Sequence, residues 1–156
     1  MKIALFGNPN TGKSSVFNLL TGLRQQIGNF AGVTVEKREG FLTLGDITYS
    51  IIDFPGTYSL YPRAKDEKIV YDLLTNKNQE LYPDAALFIV DAANLERNLL
   101  FFTQLYDLNI PLILVLNMWD LTAKRGIEIN IEKLEEAFPG VQIITSNARI
   151  GMGKER

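Results

Sequence analysis

The run Gly7-Asn8-Pro9-Asn10-Thr11-Gly12-Lys13-Ser14 meets the pattern G-x-x-x-x-G-K-[ST] at every fixed position, and the pattern is built for gripping a polyphosphate. Gly7 and Gly12 let the backbone bend so that successive N–H groups face phosphate oxygens. The helix that follows, carrying Ser14 and Ser15 in its first turn, adds the partial positive charge of its N-terminus. Lys13 supplies a point charge for the β and γ phosphates, and the Ser14 hydroxyl a ligand for Mg²⁺. The motif requires a strand before it and a helix after it, and the runs Lys2-Ile3-Ala4-Leu5-Phe6 and Ser15-Val16-Phe17-Asn18-Leu19-Leu20 read as these two.

A second box, Asn117-Met118-Trp119-Asp120, ends the apolar run Pro111-Leu112-Ile113-Leu114-Val115-Leu116, so it lies at the C-terminal edge of a strand, where α/β sheets bind their ligands. Guanine offers two donors side by side, N1–H and the exocyclic amine, and one carboxylate accepts both. Adenine offers no such pair. Asp120 therefore selects guanine by charge-assisted bidentate bonding, and Asn117 braces the loop and the base. The expected ligands are GTP and GDP.

Two further segments lie between the boxes. Asp53-Phe54-Pro55-Gly56 follows the alternating run Ile47-Thr48-Tyr49-Ser50-Ile51-Ile52 and delivers a carboxylate to the Mg²⁺ side of the phosphates, while Gly56 brings a backbone N–H toward the γ-phosphate. Thr34 ends Asn29-Phe30-Ala31-Gly32-Val33-Thr34. Placed after the first helix and before the next strand, it is positioned to bind Mg²⁺ and the γ-phosphate together, with the backbone of Ala31, Gly32 and Val33 beside the nucleotide. Thr57 stands where many small GTPases carry a water-orienting Gln, and it is too short for that task. Asp66 and Glu67 read first as a negatively charged opening turn favoured by the helix dipole. Hydrolysis is therefore expected to be slow and to rest on Lys13, Mg²⁺ and backbone donors.

These elements together resemble ferrous iron transport protein B, FeoB. The stretch from Gly22 to Gly40, with Gly28-Asn29-Phe30-Ala31-Gly32-Val33-Thr34-Val35-Glu36 at its centre, is similar to that family's switch I, and Asp53-Phe54-Pro55-Gly56-Thr57-Tyr58-Ser59-Leu60 to its D-L-P-G-T-Y-S-L string. Asp91-Ala92 with Leu95-Glu96-Arg97-Asn98-Leu99 is a further match. Phe30-Ala31 stands where the family usually has Trp-Pro, so switch I keeps an aromatic anchor and loses the proline's fixed φ. Asn147-Ala148-Arg149 stands where a Ser-Ala-x triplet is usual; the Ala148 N–H can still reach guanine O6. The resemblance implies that the Asn10 side-chain oxygen helps hold K⁺ against the phosphates, a role suited to a hard oxygen ligand. It makes Lys13, Asn10, Thr34 and Gly56 the catalytic set. It also implies a helical regulatory domain and a polytopic membrane domain for Fe²⁺ beyond this chain, at the cytoplasmic face of the inner membrane, with a homo-oligomer formed through the full-length transporter. Because the chain stops at Lys154-Glu155-Arg156, the G domain is expected to be cut before its closing helix, as a soluble fragment.

Composition bounds these readings. The 156 residues, 46% hydrophobic, suffice for one core and not for two ordinary domains. A net charge of −2 gives no basic surface for nucleic acid. The chain has no cysteine and no histidine, which excludes disulfides, thiolate metal sites and imidazole catalysis. The longest apolar runs are of strand length. Strands are expected at about 2–7, 35–44, 47–53, 85–91, 111–117 and 141–145, and helices at about 13–21, 65–80, 95–108 and 130–138. Gly45-Asp46 should close an antiparallel hairpin, and Asn130 should cap the last helix. Lys37-Arg38-Glu39 reads as a solvated strand edge, and Trp119 as stacked on the base rim or exposed. The fold expected is an α/β P-loop NTPase of the Ras-like G-domain type, with a mostly parallel six-stranded sheet, one antiparallel hairpin and helices on both faces. Two other functional readings remain open: a soluble GTPase of ribosome or tRNA maturation, and a nonhydrolysing GTP-binding switch.

Overall fold

The computed structural model describes residues 1–22 and 25–147. In chain order its elements are β1 (Lys2–Gly7), α1 (Lys13–Thr21), β2 (Gln25–Asn29), β3 (Glu36–Leu44), β4 (Ile47–Asp53), α2 (Lys65–Leu74), β5 (Ala85–Asp91), α3 (Leu95–Tyr106), β6 (Leu112–Asn117), α4 (Asp120–Lys124), α5 (Ile131–Ala137) and β7 (Gln142–Thr145). The strands form one sheet in the order β2-β3-β4-β1-β5-β6-β7. Only β3 runs against its neighbours, antiparallel to both β2 and β4, while β1, β4, β5, β6 and β7 pair in parallel. The apolar runs of β1, β5 and β6 are buried on both faces, as parallel strands under helices must be.

Alternation along β1 divides the core. Ala4 and Phe6 face one side, where they pack with Phe54, Phe88, Phe101 and Leu114; Leu5 faces the other, against Val16 and Phe17 of α1, Ile89 and Val115. Burying each of these phenylalanines contributes roughly 1.5–3 kcal/mol. On α3, Phe101, Phe102 and Leu105 are buried at the expected helical spacing, and Leu108, just past the helix, packs partly buried against the same cluster. The expected hairpin turn is present, with Leu44 paired to Ile47 and Gly45 at φ +60°. Asn130 caps α5 by accepting from the Lys133 N–H at 3.1 Å.

Three expectations are corrected. The sheet has seven strands, not six, because residues 25–29, read as switch loop, form β2. Gln25-Gln26-Ile27-Gly28-Asn29 has no apolar alternation, and Ile27 is 66% exposed, so backbone pairing to β3 makes this strand rather than burial. Since β2 covers it, β3 is not an edge: Arg38 pairs with Glu36 at 2.8 Å, and Glu39 accepts from the Ser50 hydroxyl at 2.6 Å. Helix α2 ends at Leu74 rather than near residue 80. There the Thr75 hydroxyl bonds the Tyr71 carbonyl and Asn76 accepts from the Asn78 N–H, side-chain bonds that compete with helix continuation.

Gly40 is required by close approach. A Cβ there would lie 2.3 Å from Thr21 Cγ2, where the end of α1 rests on β3. Gly40→Ala is expected to destabilise by about 1–3 kcal/mol through overpacking, read as a lower urea midpoint. Thr21→Ser should restore only part of the loss, because it removes the methyl but keeps the Thr21 Cβ, 2.6 Å from the added carbon, together with the hydroxyl that donates to the Phe17 carbonyl at 2.8 Å.

Candidate functional site

The loop from β1 to α1 has the backbone its sequence demands. Asn10 (φ +63°) and Gly12 (φ +80°) adopt left-handed conformations, the kind of backbone from which anion-binding nests are built. No side chain caps the start of α1, and its first turn carries no acidic residue, so its first N–H groups are left for an anion. The cleft in front of the loop measures about 430 Å³ and is lined by Asn8, Pro9, Asn10, Gly12, Lys13, Ser14, Ser15, Gly56 and Asp66. A Cβ on Gly56 would lie 3.1 Å from the Pro9 nitrogen, which sets the Asp53-to-Gly56 segment directly against the phosphate loop.

Lys13 forms an ion pair with Asp53, the two side chains 12% and 9% exposed. The two charges that the sequence leads one to expect at the phosphates and at Mg²⁺ thus neutralise each other in this conformation. A magnesium–polyphosphate ligand offers each a new partner: phosphate oxygens for Lys13 and the metal ion for Asp53. Ser14 is exposed and lines the same cleft as Lys13. This donor set, one carboxylate and one hydroxyl at a helix N-terminus, fits Mg²⁺, which takes few protein oxygens and keeps substrate oxygens and water.

The second box is joined to the first. Asn117, 2% exposed, donates from Nδ2 to the Thr11 carbonyl at 3.0 Å, across 106 positions of sequence. Met118 takes φ +56°, a strained value for a side chain of that kind. The Trp119 N–H bonds the Ser146 carbonyl at 3.1 Å, and the Ser146 N–H bonds the Leu116 carbonyl at 2.9 Å, so the loop after β7 is stitched to the same corner. Asp120 opens the short helix α4, which sequence reasoning had not found. Its carboxylate is 40% exposed and, among the described residues, makes an i,i+4 contact to Lys124 at 3.4 Å, a pair worth little in solvent. Asn147 is buried at the end of this loop; Ala148 lies outside the described residues.

Other expected residues lie elsewhere. The Phe54 side chain is withdrawn into the core, stacked between Phe6 (5.2 Å) and Phe30 (5.5 Å), so only its backbone can serve a ligand. Phe30 is thereby the aromatic anchor expected of switch I. The following loop closes on itself through Phe30 N–H to Val35 carbonyl (3.0 Å) and Val33 N–H to Phe30 carbonyl (3.3 Å). Ala31, Gly32, Val33 and Thr34 are exposed and line a separate hollow with Lys65 and Lys68, so Thr34 is not brought to Ser14 and Asp53. Thr57 is fully buried and donates to the Ser59 carbonyl at 2.8 Å; its side chain is turned inward, not toward the cleft. Asp66 lines the phosphate cleft, whereas Glu67 accepts from the Arg63 N–H at 2.6 Å. Trp119 packs partly buried against the core. Sequence reasoning gave no role to Asn94 and Asn98, which share a hollow with residues 8–11 of the loop; Asn98 was signalled only by the string Leu95-Glu96-Arg97-Asn98, and Asn94 by nothing.

A family model described as ferrous iron transport protein B matches residues 1–156. The chain is 43% identical over 151 residues to the Fe(2+) transporter FeoB of Leptospira biflexa, covering 97% of this chain and 21% of that protein. It is 46% identical over 147 residues to the FeoB of Helicobacter pylori strain J99, covering 94% and 22%. It therefore spans about a fifth of the length of these relatives. Among solved structures, the cytosolic domain of L. pneumophila FeoB superposes with a TM-score of 0.90 at 39% identity, over 99% of this chain and 66% of that one. The G domain of the T. maritima FeoB iron transporter gives 0.88 at 35% identity, over 99% and 92%. An S. thermophilus NFeoB mutant bound to GDP gives 0.89 at 41% identity, over 99% and 58%.

Proposed function

The chain belongs to the ferrous iron transport protein B family, and from that premise we propose that it is a guanine-nucleotide-binding G domain that hydrolyses GTP slowly and regulates a longer Fe²⁺ transporter. The observation that carries the nucleotide reading is the Asn117–Thr11 bond, which makes the base box and the phosphate loop one unit. The helical and membrane parts lie outside this chain, and placement at the cytoplasmic face of the membrane follows from the family alone. Among the described residues, no helix is long and apolar enough to cross a bilayer. The reading as a GTPase of ribosome or tRNA maturation is not favoured, since the relatives named above are iron transporters.

In this reading the nest and Lys13 hold the β and γ phosphates, Ser14 and Asp53 hold Mg²⁺, and Asp120 reads guanine. Bound Mg²⁺ supplies compensation for negative charge on the phosphates. Lys13 and the backbone donors of the nest stabilise the charge that grows in the transition state. With Thr57 turned inward, no side chain of that segment orients the attacking water, which is the reason for slow turnover. Thr34 reaches the nucleotide only if the loop 31–34 swings from its own hollow, which makes it a switch element. Thr34→Ala should leave GDP affinity unchanged and abolish the added protection of residues 25–36 from proteolysis when a nonhydrolysable GTP analogue is bound.

Asn10 is exposed and lines the cleft, and its side-chain amide oxygen is a hard donor of the kind a monovalent cation takes. The experiment that tests the whole reading is single-turnover GTP hydrolysis in K⁺ and in Na⁺ at equal ionic strength. Wild type should be faster in K⁺. Asn10→Ala should be slow in both salts, with nucleotide affinity changed far less than turnover. Hydrolysis indifferent to the cation would remove K⁺ from the mechanism, and no GDP binding at all would remove the G-domain reading.

A further inference from the structure

Strand β2 is one edge of the sheet, bonded to β3 on one side and to no strand on the other. The register shows which of its backbone groups face outward. Gln25 stands opposite Gly40, Ile27 opposite Arg38 and Asn29 opposite Glu36, and Phe30, next in line, donates its N–H to the Val35 carbonyl at 3.0 Å. In an antiparallel ladder, hydrogen-bonded pairs alternate with non-bonded ones. Counting back from Phe30, it is therefore Gly28 and Gln26 that bond to β3, while Gln25, Ile27 and Asn29 turn their N–H and C=O groups away from it. Residues 26–29 are exposed, and among the described residues no loop or turn backbone bond engages those outward groups.

An exposed strand edge invites a further strand, and folded proteins commonly blunt such edges with lysine, proline or a bulge. Strand β2 has none of these. Its sequence Gln-Gln-Ile-Gly-Asn carries no charge and no proline, its register to β3 is unbroken, and Ile27 is 66% exposed. The pattern is also self-complementary. When two copies of β2 lie antiparallel about a two-fold axis at Ile27, Ile27 faces its counterpart and Gln25 faces Asn29 on either side, so each outward N–H meets an outward C=O. A shift by one residue would set an outward group against one already bonded to β3. Because β2 is uncharged, a copy brings no like charge against itself across the axis, and the apposed isoleucines cover each other. We infer that β2 is the surface through which two copies of this chain associate, edge to edge, into a two-fold dimer with one continuous sheet. The contact is isologous, as a two-fold requires. With five residues on each side it buries far less than a standard interface, which makes the dimer weak and reversible. The inference does not rest on the nucleotide reading.

Sedimentation equilibrium of the chain without nucleotide tests this. Wild type should dimerise reversibly, with a dissociation constant on the order of 100 μM. Ile27→Lys sets two ammonium groups against each other at the axis and should weaken association at least about tenfold. Ile27→Pro removes the outward N–H and spares the bonds to β3, as proline on an edge strand can, and should weaken it by about as much. Gln26→Lys adds the same charge on the other face of the strand, opposite Gly28 of the second copy, and should leave association within about twofold. Ile27 is exposed, so Ile27→Lys should melt with wild type in circular dichroism. Amide exchange by NMR reads the register: the Gln25, Ile27 and Asn29 amides should exchange about threefold more slowly at about 1 mM protein than at about 20 μM, while Gln26 and Gly28 are protected at both. A wild type that stays monomeric at about 1 mM would overturn the inference. So would association that survives both Ile27 variants, since the contact would then lie on another surface. Equal weakening by Gln26→Lys and Ile27→Lys would overturn the two-fold register. Failure to bind GDP would count against the nucleotide reading alone, because neither experiment contains nucleotide.

Discussion

Gly12→Ala is expected to cost a large share of nucleotide affinity. The new Cβ would lie 2.3 Å from Asn117 Nδ2 and 3.3 Å from Met118 Cε, at a backbone φ of +80°. Left-handed backbone costs an ordinary L-residue roughly 1–2 kcal/mol. Relief of the clash requires Asn117 to release the Thr11 carbonyl, a buried bond whose loss costs a further 1–3 kcal/mol or so. The sum, about 2–5 kcal/mol, corresponds to a fall in GDP affinity of roughly 30- to several thousand-fold. The loss falls on the base box as well as the phosphate loop, because one bond holds both. Titration of a fluorescent GDP analogue, beside a circular dichroism melt, separates this from unfolding. The matched control is Gly126→Ala, where φ is +66° and nothing stands within 4 Å of the added methyl: it carries the backbone strain without the clash and should leave affinity unchanged.

Asp120→Asn should change which base is bound as well as how tightly. The carboxylate is partly exposed, and its charged neighbour among the described residues, Lys124, is at 3.4 Å and itself largely exposed, so it can accept two hydrogen bonds from a base. An amide in its place sets a donor against the guanine donors, and a lost or mismatched charged bond in a desolvated pocket costs roughly 1–3 kcal/mol. GDP should bind about five- to 150-fold more weakly. Xanthosine diphosphate, which presents an acceptor where guanine carries its amine, should bind the variant better than it binds wild type. The fold should be unaffected, since the Lys124 contact contributes little. Isothermal titration with both nucleotides reads the exchange, and unchanged GDP affinity would remove Asp120 from base recognition.

The residues whose chemistry is local were legible in the sequence. Gly7 to Ser14 specify a loop between strand and helix by their own conformational preferences, and the hairpin at Gly45-Asp46 and the cap at Asn130 follow from neighbours within a few positions. The core face of α3 and the buried runs of β1, β5 and β6 follow from periodicity. The guanine box was read from two side chains and the strand before them. Beyond that, contacts between distant segments decide the outcome. Strand β2 exists because β3 offers it a backbone partner, which the composition of residues 25–29 does not announce. The Lys13–Asp53 pair, the Asn117–Thr11 brace, the outward fold of the loop bearing Thr34 and the inward turn of Thr57 all depend on which groups the sheet order sets side by side. Sequence therefore determined which chemical groups this chain can bring to a nucleotide, because residue type and local spacing fix those. Only the tertiary structure decided which of them meet in one conformation, because hydrogen bonds and ion pairs act over a few ångströms and are blind to the distance along the chain.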